Sequence, residues 1–177
     1  MAFPVHSEDN PYVYWEGSPS YPAGSTQSWT ISDSQSTRKL LLLANPPFNA
    51  VLTLENPLTL SVPATSWSEF PFAFDITSYN DSVNPNQPVT TTLVKGGDLT
   101  IHQIFENSND AHTINTFLGN HTLTFENNVT LSELSYTNQW NVRSWMSALR
   151  VTDDKAVFEK DFTITNATYK HLSAPSN

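Results

Sequence analysis

Large apolar residues recur at every second position through most of this chain and almost nowhere at helical spacing. Trp29 and Ile31 alternate with polar neighbours. Leu52, Leu54, Leu58, Leu60 and Val62 share one parity, with threonines on the other, and Phe70, Phe72, Phe74 and Ile76 repeat the arrangement. Leu99 and Ile101, then Leu123, Phe125, Val129 and Leu131, do the same. A period of two sends alternate side chains to opposite faces of a pleated strand, and threonine beside large apolar residues suits a half-buried face. Leu40 to Leu43 is a continuous apolar run between charge and Asn45-Pro46-Pro47, so it reads as a strand buried on both faces. One stretch departs from the rule: Val142, Trp145, Met146 and Leu149 stand at helical spacing and leave 142–149 open to a short helix or a strand. The pattern predicts an all-β protein.

The chain also resembles itself. Asn49–Ser61 aligns without a gap on Asn120–Ser132, with Leu52-Thr53 and Glu55-Asn56 matching Leu123-Thr124 and Glu126-Asn127. Trp29-Thr30-Ile31 matches Leu99-Thr100-Ile101 upstream, and Trp67 and Trp140 follow the shared segment. A third start, Val157–Ile164, resembles Val94–Ile101. Duplication of a module of about seventy residues explains these matches, and a module that small must share its core with its copy. Two architectures follow. In an antiparallel β-sandwich or jelly roll, Glu55-Asn56-Pro57 and Glu126-Asn127-Asn128 are equivalent hairpin turns. In a β-solenoid, Asn56 and Asn127 stand at stacked corners. Solenoid coils usually take about 20 to 30 residues. The longer period and a total of five glycines therefore favour the sandwich.

The expected organisation is an N-terminal arm (1–26), a first β module (27–96) and a second module with a C-terminal strand (97–177), packed as one domain. The arm carries Pro4, Pro11, Pro19 and Pro22, which remove amide donors and fix φ. Tyr12, Tyr14 and Trp15 offer a short edge strand that packs on its own domain or clasps a neighbouring subunit in a homo-oligomer.

Composition narrows the function classes. Charged residues make up 14%, against about 25% in average domains. The net charge is −9, and Arg38-Lys39 is the only adjacent basic pair. Nucleic-acid binding needs clustered cations to displace counterions, so that class is disfavoured. An anionic membrane surface would repel the chain, and Leu40–Ala44 is far too short to span a bilayer, so no membrane insertion is expected. Without cysteine, disulfides, thiolate zinc sites and cysteine nucleophiles are excluded. Met1–His6 has neither the basic start nor the apolar run of a signal peptide.

Candidate chemistry is sparse. His6, His102, His112, His121 and His171 form no HExxH or HxH motif; His102, Asp110 and His112 would meet if 102–112 were a hairpin, and would then suit a metal. His121 stands opposite Ala50 in the other copy, so the shared fold does not need it. Asp153-Asp154, and Asp75 with Asp81 near Asn80 and Asn84, offer oxygens of the kind calcium takes, although Asx turns explain such residues equally well. No other cofactor is expected. Glu55 and Glu126 are repeat-equivalent, which assigns both to turns rather than to paired catalytic carboxylates. No serine sits in a nucleophile elbow, and Gly96-Gly97-Asp98 reads as a hairpin turn. Asn120, Asn128, Asn166 and Asn80 begin glycosylation sequons. Among the aromatics, Trp67 and Trp140 recur in both copies and read as core; Trp15 and Trp145 do not recur and are ligand-contact candidates, with Asp81, Asp153 and Asp154 beside them.

Ser18–Pro22, Trp29–Ile31, Phe74–Ile76 and Asp81-Ser82 resemble the order of motifs in CUB-type sandwiches over about a third of the chain, without that family's cysteines. Leu123–Asn128 resembles passenger strands of bacterial autotransporters. The residues together lead to the expectation of a non-enzymatic, extracellular or surface-exposed β protein that binds a glycan or a protein surface. A structural subunit of a virion, phage tail or other assembly is the alternative.

Overall fold

The computed structural model describes residues 13–16, 21–44, 47–62, 72–77, 86–106, 110–138 and 145–171, and no helix occurs among them. The first described strand is β1 (Val13–Glu16). The chain then winds through successive coils: β2 (Thr26–Ile31), β3 (Gln35–Ser36) and β4 (Lys39–Leu43) form the first. The second is β5 (Asn49–Leu54), β6 (Leu58–Val62) and β7 (Phe72–Thr77), and the third β8 (Thr90–Gly96), β9 (Leu99–Glu106) and β10 (Asp110–Phe117). β11 (His121–Phe125), β12 (Val129–Ser132), β13 (Ser135–Asn138) and β14 (Trp145–Val151) make the fourth. β15 (Lys155–Phe158), β16 (Phe162–Thr165) and β17 (Thr168–His171) make the last.

Every strand pairing among the described residues is parallel, and each joins strands of neighbouring coils. Three walls result. The first runs β2-β5-β8-β11-β15 and the third β1-β4-β7-β10-β14. The second runs β3-β6-β9-β12-β16, and the far half of the long β9 also pairs with β13 and, through it, β17. This corrects the antiparallel sandwich: the architecture is the parallel winding of a β-solenoid. Alternation of apolar and polar residues fixes which face of a strand is buried, but it says nothing about which strand lies alongside.

The duplicated segments are two coils apart, with an intervening coil stacked between them. Leu58, Leu99 and Val129 share one column of the second wall, as do Leu60, Ile101 and Leu131. The repeat period of about seventy residues therefore spans two coils rather than one. The match between Trp29–Ile31 and Leu99–Ile101 does not survive, because the first lies in the first wall and the second in the second wall. Of the helix-spaced residues, Trp145, Met146 and Leu149 lie in strand β14, held by parallel pairing to β10, and Val142 lies outside the described residues.

Inward positions stack column upon column. Trp29, Leu52, Val94, Phe125 and Phe158 are successive partners in the first wall, and Leu40, Phe74, Ile114 and Leu149 in the third. Leu52, Phe74, Ile114 and Phe125 are at most 1% exposed, and burial of each such side chain contributes about 1.5–3 kcal/mol. Rings stack at the pitch of the coils: Phe125 on Phe158 at 5.2 Å and Tyr136 on Tyr169 at 4.8 Å, close to the ~4.8 Å between strands. At the other end, Tyr21 and Phe48 meet edge-on at 5.1 Å, and both contact Trp29.

The turns read as hairpins are corners between the first and second walls. Gly96 has φ +94, and a Cβ there would meet Leu54 O at 2.2 Å; a Cβ on Gly97 would lie 2.2 Å from the Asn56 carbonyl carbon. The third coil's corner therefore lies directly on the second's. Asn56 Nδ2 donates to Ser32 O at 2.8 Å, and Asn127 Nδ2 donates to Gly97 O at 2.7 Å, so both asparagines tie their corner to the coil before. Asp98, Asn128 and Asp161 form a second ladder there: Asn128 N donates to Asp98 Oδ1 and Asp161 N to Asn128 Oδ1.

Candidate functional site

The residues singled out as ligand contacts do not converge. Trp15 and Trp145 belong to β1 and β14, opposite edges of the third wall, with β4, β7 and β10 between them. Four strand spacings separate their backbones, roughly 19 Å. Asp81 lies outside the described residues, as do Trp67, Phe70 and Trp140. Asp153 and Asp154 form the turn from β14 to β15 and have structural partners. Asp153 adopts φ 55, and its carbonyl accepts from Asn120 N at 3.0 Å. The Asp154 carboxylate accepts from Thr116 Oγ1 and Leu118 N, both at 2.8 Å, and from His121 N at 3.1 Å. A carboxylate with three donors staples its turn to the coil before; it has little left to offer an ion.

The histidines are also separated. His102 lies in β9 of the second wall, with Nδ1 3.0 Å from Ser132 O, while His112 lies in β10 of the third. No group of three His, Cys, Asp or Glu among the described residues could hold a metal. His112 Nδ1 lies 2.6 Å from Ser147 Oγ, superficially a nucleophile–base pair. The Ser147 hydroxyl also reaches Leu149 O at 3.1 Å, so its one proton has a backbone acceptor within its own strand.

His121, treated as dispensable from the sequence, is 1% exposed inside the first wall. Its Nδ1 and Nε2 lie 2.7 and 2.8 Å from the hydroxyls of Thr90 and Thr92. Burial holds the imidazole neutral, pulling its pKa down to about 4 against an opposing effect of Asp154. The comparison with Ala50 misled because Ala50 stacks beneath Thr92 and Leu123, not beneath His121. Asp75, offered from the sequence as a calcium-type loop oxygen, lies instead within a strand of the third wall beside Asn115, which the sequence did not single out. The two are 2% and 3% exposed, with Asn115 Nδ2 donating to Asp75 Oδ1 at 2.7 Å, and it is their burial that went unread. The available signal was Leu40–Leu43. A strand covered on both faces implies that its neighbours are covered too, and Leu41 is the registered partner of Asp75.

What the fold leaves open is the outer face of the first wall. Its outward positions form three rows across the five strands. Thr26, Asn49, Thr91, Thr122 and Lys155 make one, and Ser28, Val51, Leu93, Thr124 and Val157 the next. Thr30, Thr53 and Lys95 make the third. None of these residues is buried, in contrast to Leu41, Asp75 and Asn115 on the outer face of the third wall. The central row of the first wall thus carries three apolar residues (Val51, Leu93 and Val157), with Thr124 between the last two, and is flanked by rows of threonines that also hold Asn49, Lys95 and Lys155. The second wall carries a wholly polar row, Gln35, Thr59, Thr100, Thr130 and Thr163.

No family model, curated protein or solved structure matches this chain. The topology defines the class: a parallel three-walled β-solenoid.

Proposed function

We propose that this protein is a non-enzymatic, surface-exposed binding scaffold whose ligand, a glycan chain, lies along the outer face of the first wall. The observation that carries the reading is the row structure of that face. The apolar positions of the central row accept the C–H faces of sugar rings, while the threonine hydroxyls on either side satisfy ring hydroxyls. The strand pitch repeats the same groups along the solenoid, which suits a polymer better than a single small molecule. The low charge and the abundance of Asn and Thr support a neutral polar ligand, and the absence of basic clusters argues against an acidic one. A glycan array, followed by titration with Leu93→Asp, tests the reading. Binding to neutral oligosaccharides that falls at least tenfold in the variant supports it; no binding, or binding indifferent to Leu93→Asp, overturns it.

A second reading, a subunit of a larger assembly, is favoured by the last described coil. Val157, Ile164 and Tyr169 there are 40%, 46% and 48% exposed, and β15, β16 and β17 each form one border of their walls. Unpaired strand borders are templates for further pairing. Light scattering separates the readings: a discrete large oligomer favours assembly, and a monomer that binds glycan favours the scaffold.

A further inference from the structure

Leu41, Asp75, Asn115 and Arg150 occupy registered positions on β4, β7, β10 and β14, forming one row across the outer face of the third wall. Asn115 Nδ2 donates to Asp75 Oδ1 at 2.7 Å. The other oxygen of each side chain, Asp75 Oδ2 and Asn115 Oδ1, is buried without a hydrogen-bond partner among the described residues. With the carboxyl ionised, both orphan atoms are acceptors and neither can satisfy the other. A single proton on Oδ2 makes it a donor to the amide oxygen. Acid and amide then close a ring of two hydrogen bonds, and both orphans are satisfied together.

We propose that Asp75 is carried in the folded protein as a neutral carboxylic acid, paired in both directions with Asn115, and that loss of this proton loosens β7 from β10, making the third wall a pH-sensitive element. The charged groups among the described residues that act on Asp75 are Arg150 on β14 and Lys39 on β4, and both favour the carboxylate. His112 on β10 lies in register with Phe72, on the opposite parity from Asp75. Burial outweighs the cations and the Asn115 hydrogen bond, pushing the acid up to about 7. Burial also draws Lys39 down to about 8, against the pull of Asp75.

Asp75→Asn tests the pairing, because an amide can accept at its oxygen and donate from its nitrogen without any proton to lose. The full chain carrying Asp75→Asn should melt at or above the wild-type temperature at pH 8. Its advantage should grow as pH is raised from about 4 to about 7 and then level off. Wild-type protein at about pH 6, where ordinary carboxyls are ionised, should show a protonated-carboxyl C=O stretch in the infrared that Asp75→Asn lacks. Amide exchange in β7 and β10, corrected for its intrinsic pH dependence, should accelerate above about pH 7 in wild type and not in the variant. A variant that melts several degrees lower at pH 8 would identify an ionised Asp75 paired with Arg150 or Lys39, and would overturn the proposal. If Asp75→Asn fails to fold, the wild-type infrared band decides alone: its absence at about pH 6 sinks the idea.

Discussion

His121 and Asp75 are both buried and titrate in opposite senses, so their effects on stability oppose each other. His121 holds about 4 in the folded protein against an ordinary 6.5. The unfolded chain takes up that proton first as pH falls, so stability present in full above 6.5 is lost between 6.5 and about 4. Asp75 holds about 7 against an ordinary 3.8. The unfolded chain releases that proton first as pH rises, so its stability is full below 3.8 and is lost between 3.8 and about 7. Each swing is on the order of a few kcal/mol. Between about pH 4 and 6.5 the two slopes cancel in wild type. Urea denaturation at a series of pH values should therefore show His121→Gln losing stability as pH rises and Asp75→Asn gaining it. The same sign of slope in both variants would refute the assignments. A steric prediction belongs at the corner: Gly97→Ala must displace Asn56 backbone, and should cost roughly 3 kcal/mol, read as a melting temperature lower by roughly 5–10 °C. An unchanged melting temperature would mean the corners are not stacked as described.

At the scale of elements, the side of each strand that faces inward was legible and its partner was not. Leu52, Leu54, Leu58, Leu60 and Val62 were recognised as one buried face, and all five are at most 3% exposed. Their neighbours in space are Trp29, Ile31, Val94, Leu99 and Ile101 among others, each a whole coil away. Parallel pairing leaves no local mark comparable to the two-residue turn of a hairpin, so proximity in sequence suggested the wrong mate. The same blindness hid the burial of Asp75, which depends on what the neighbouring coil places beside it. The Asn56 and Asn127 corners were legible as equivalent positions because their side chains perform the same task. The Asp154 staple yields a further test. Asp154→Ala frees three donors from the preceding coil and should destabilise by about 2–4 kcal/mol. Calcium or a chelator should leave the wild-type melting temperature unchanged. A calcium-dependent rise abolished by Asp154→Ala would reinstate an ion at this turn.

For the whole molecule, stability is distributed as in other stacked architectures, each coil resting on its neighbours. The third coil is covered by coils on both sides, whereas among the described residues β15, β16 and β17 have a partner on one side only. Native-state hydrogen exchange should accordingly be slowest in β8 and β9 and fastest in the last coil; uniform protection would argue against a ladder of separable coils. The central claim is the parallel stacking itself, and backbone NOE spectroscopy addresses it most directly. Antiparallel strands bring facing Hα atoms into close contact, while parallel strands link amide and Hα protons in one consistent direction. The account predicts amide-to-Hα contacts joining Leu58, Leu99 and Val129 in sequence, with no strong Hα–Hα contacts between β5 and β6. Strong Hα–Hα contacts across Glu55-Asn56-Pro57 would contradict it and restore the hairpin.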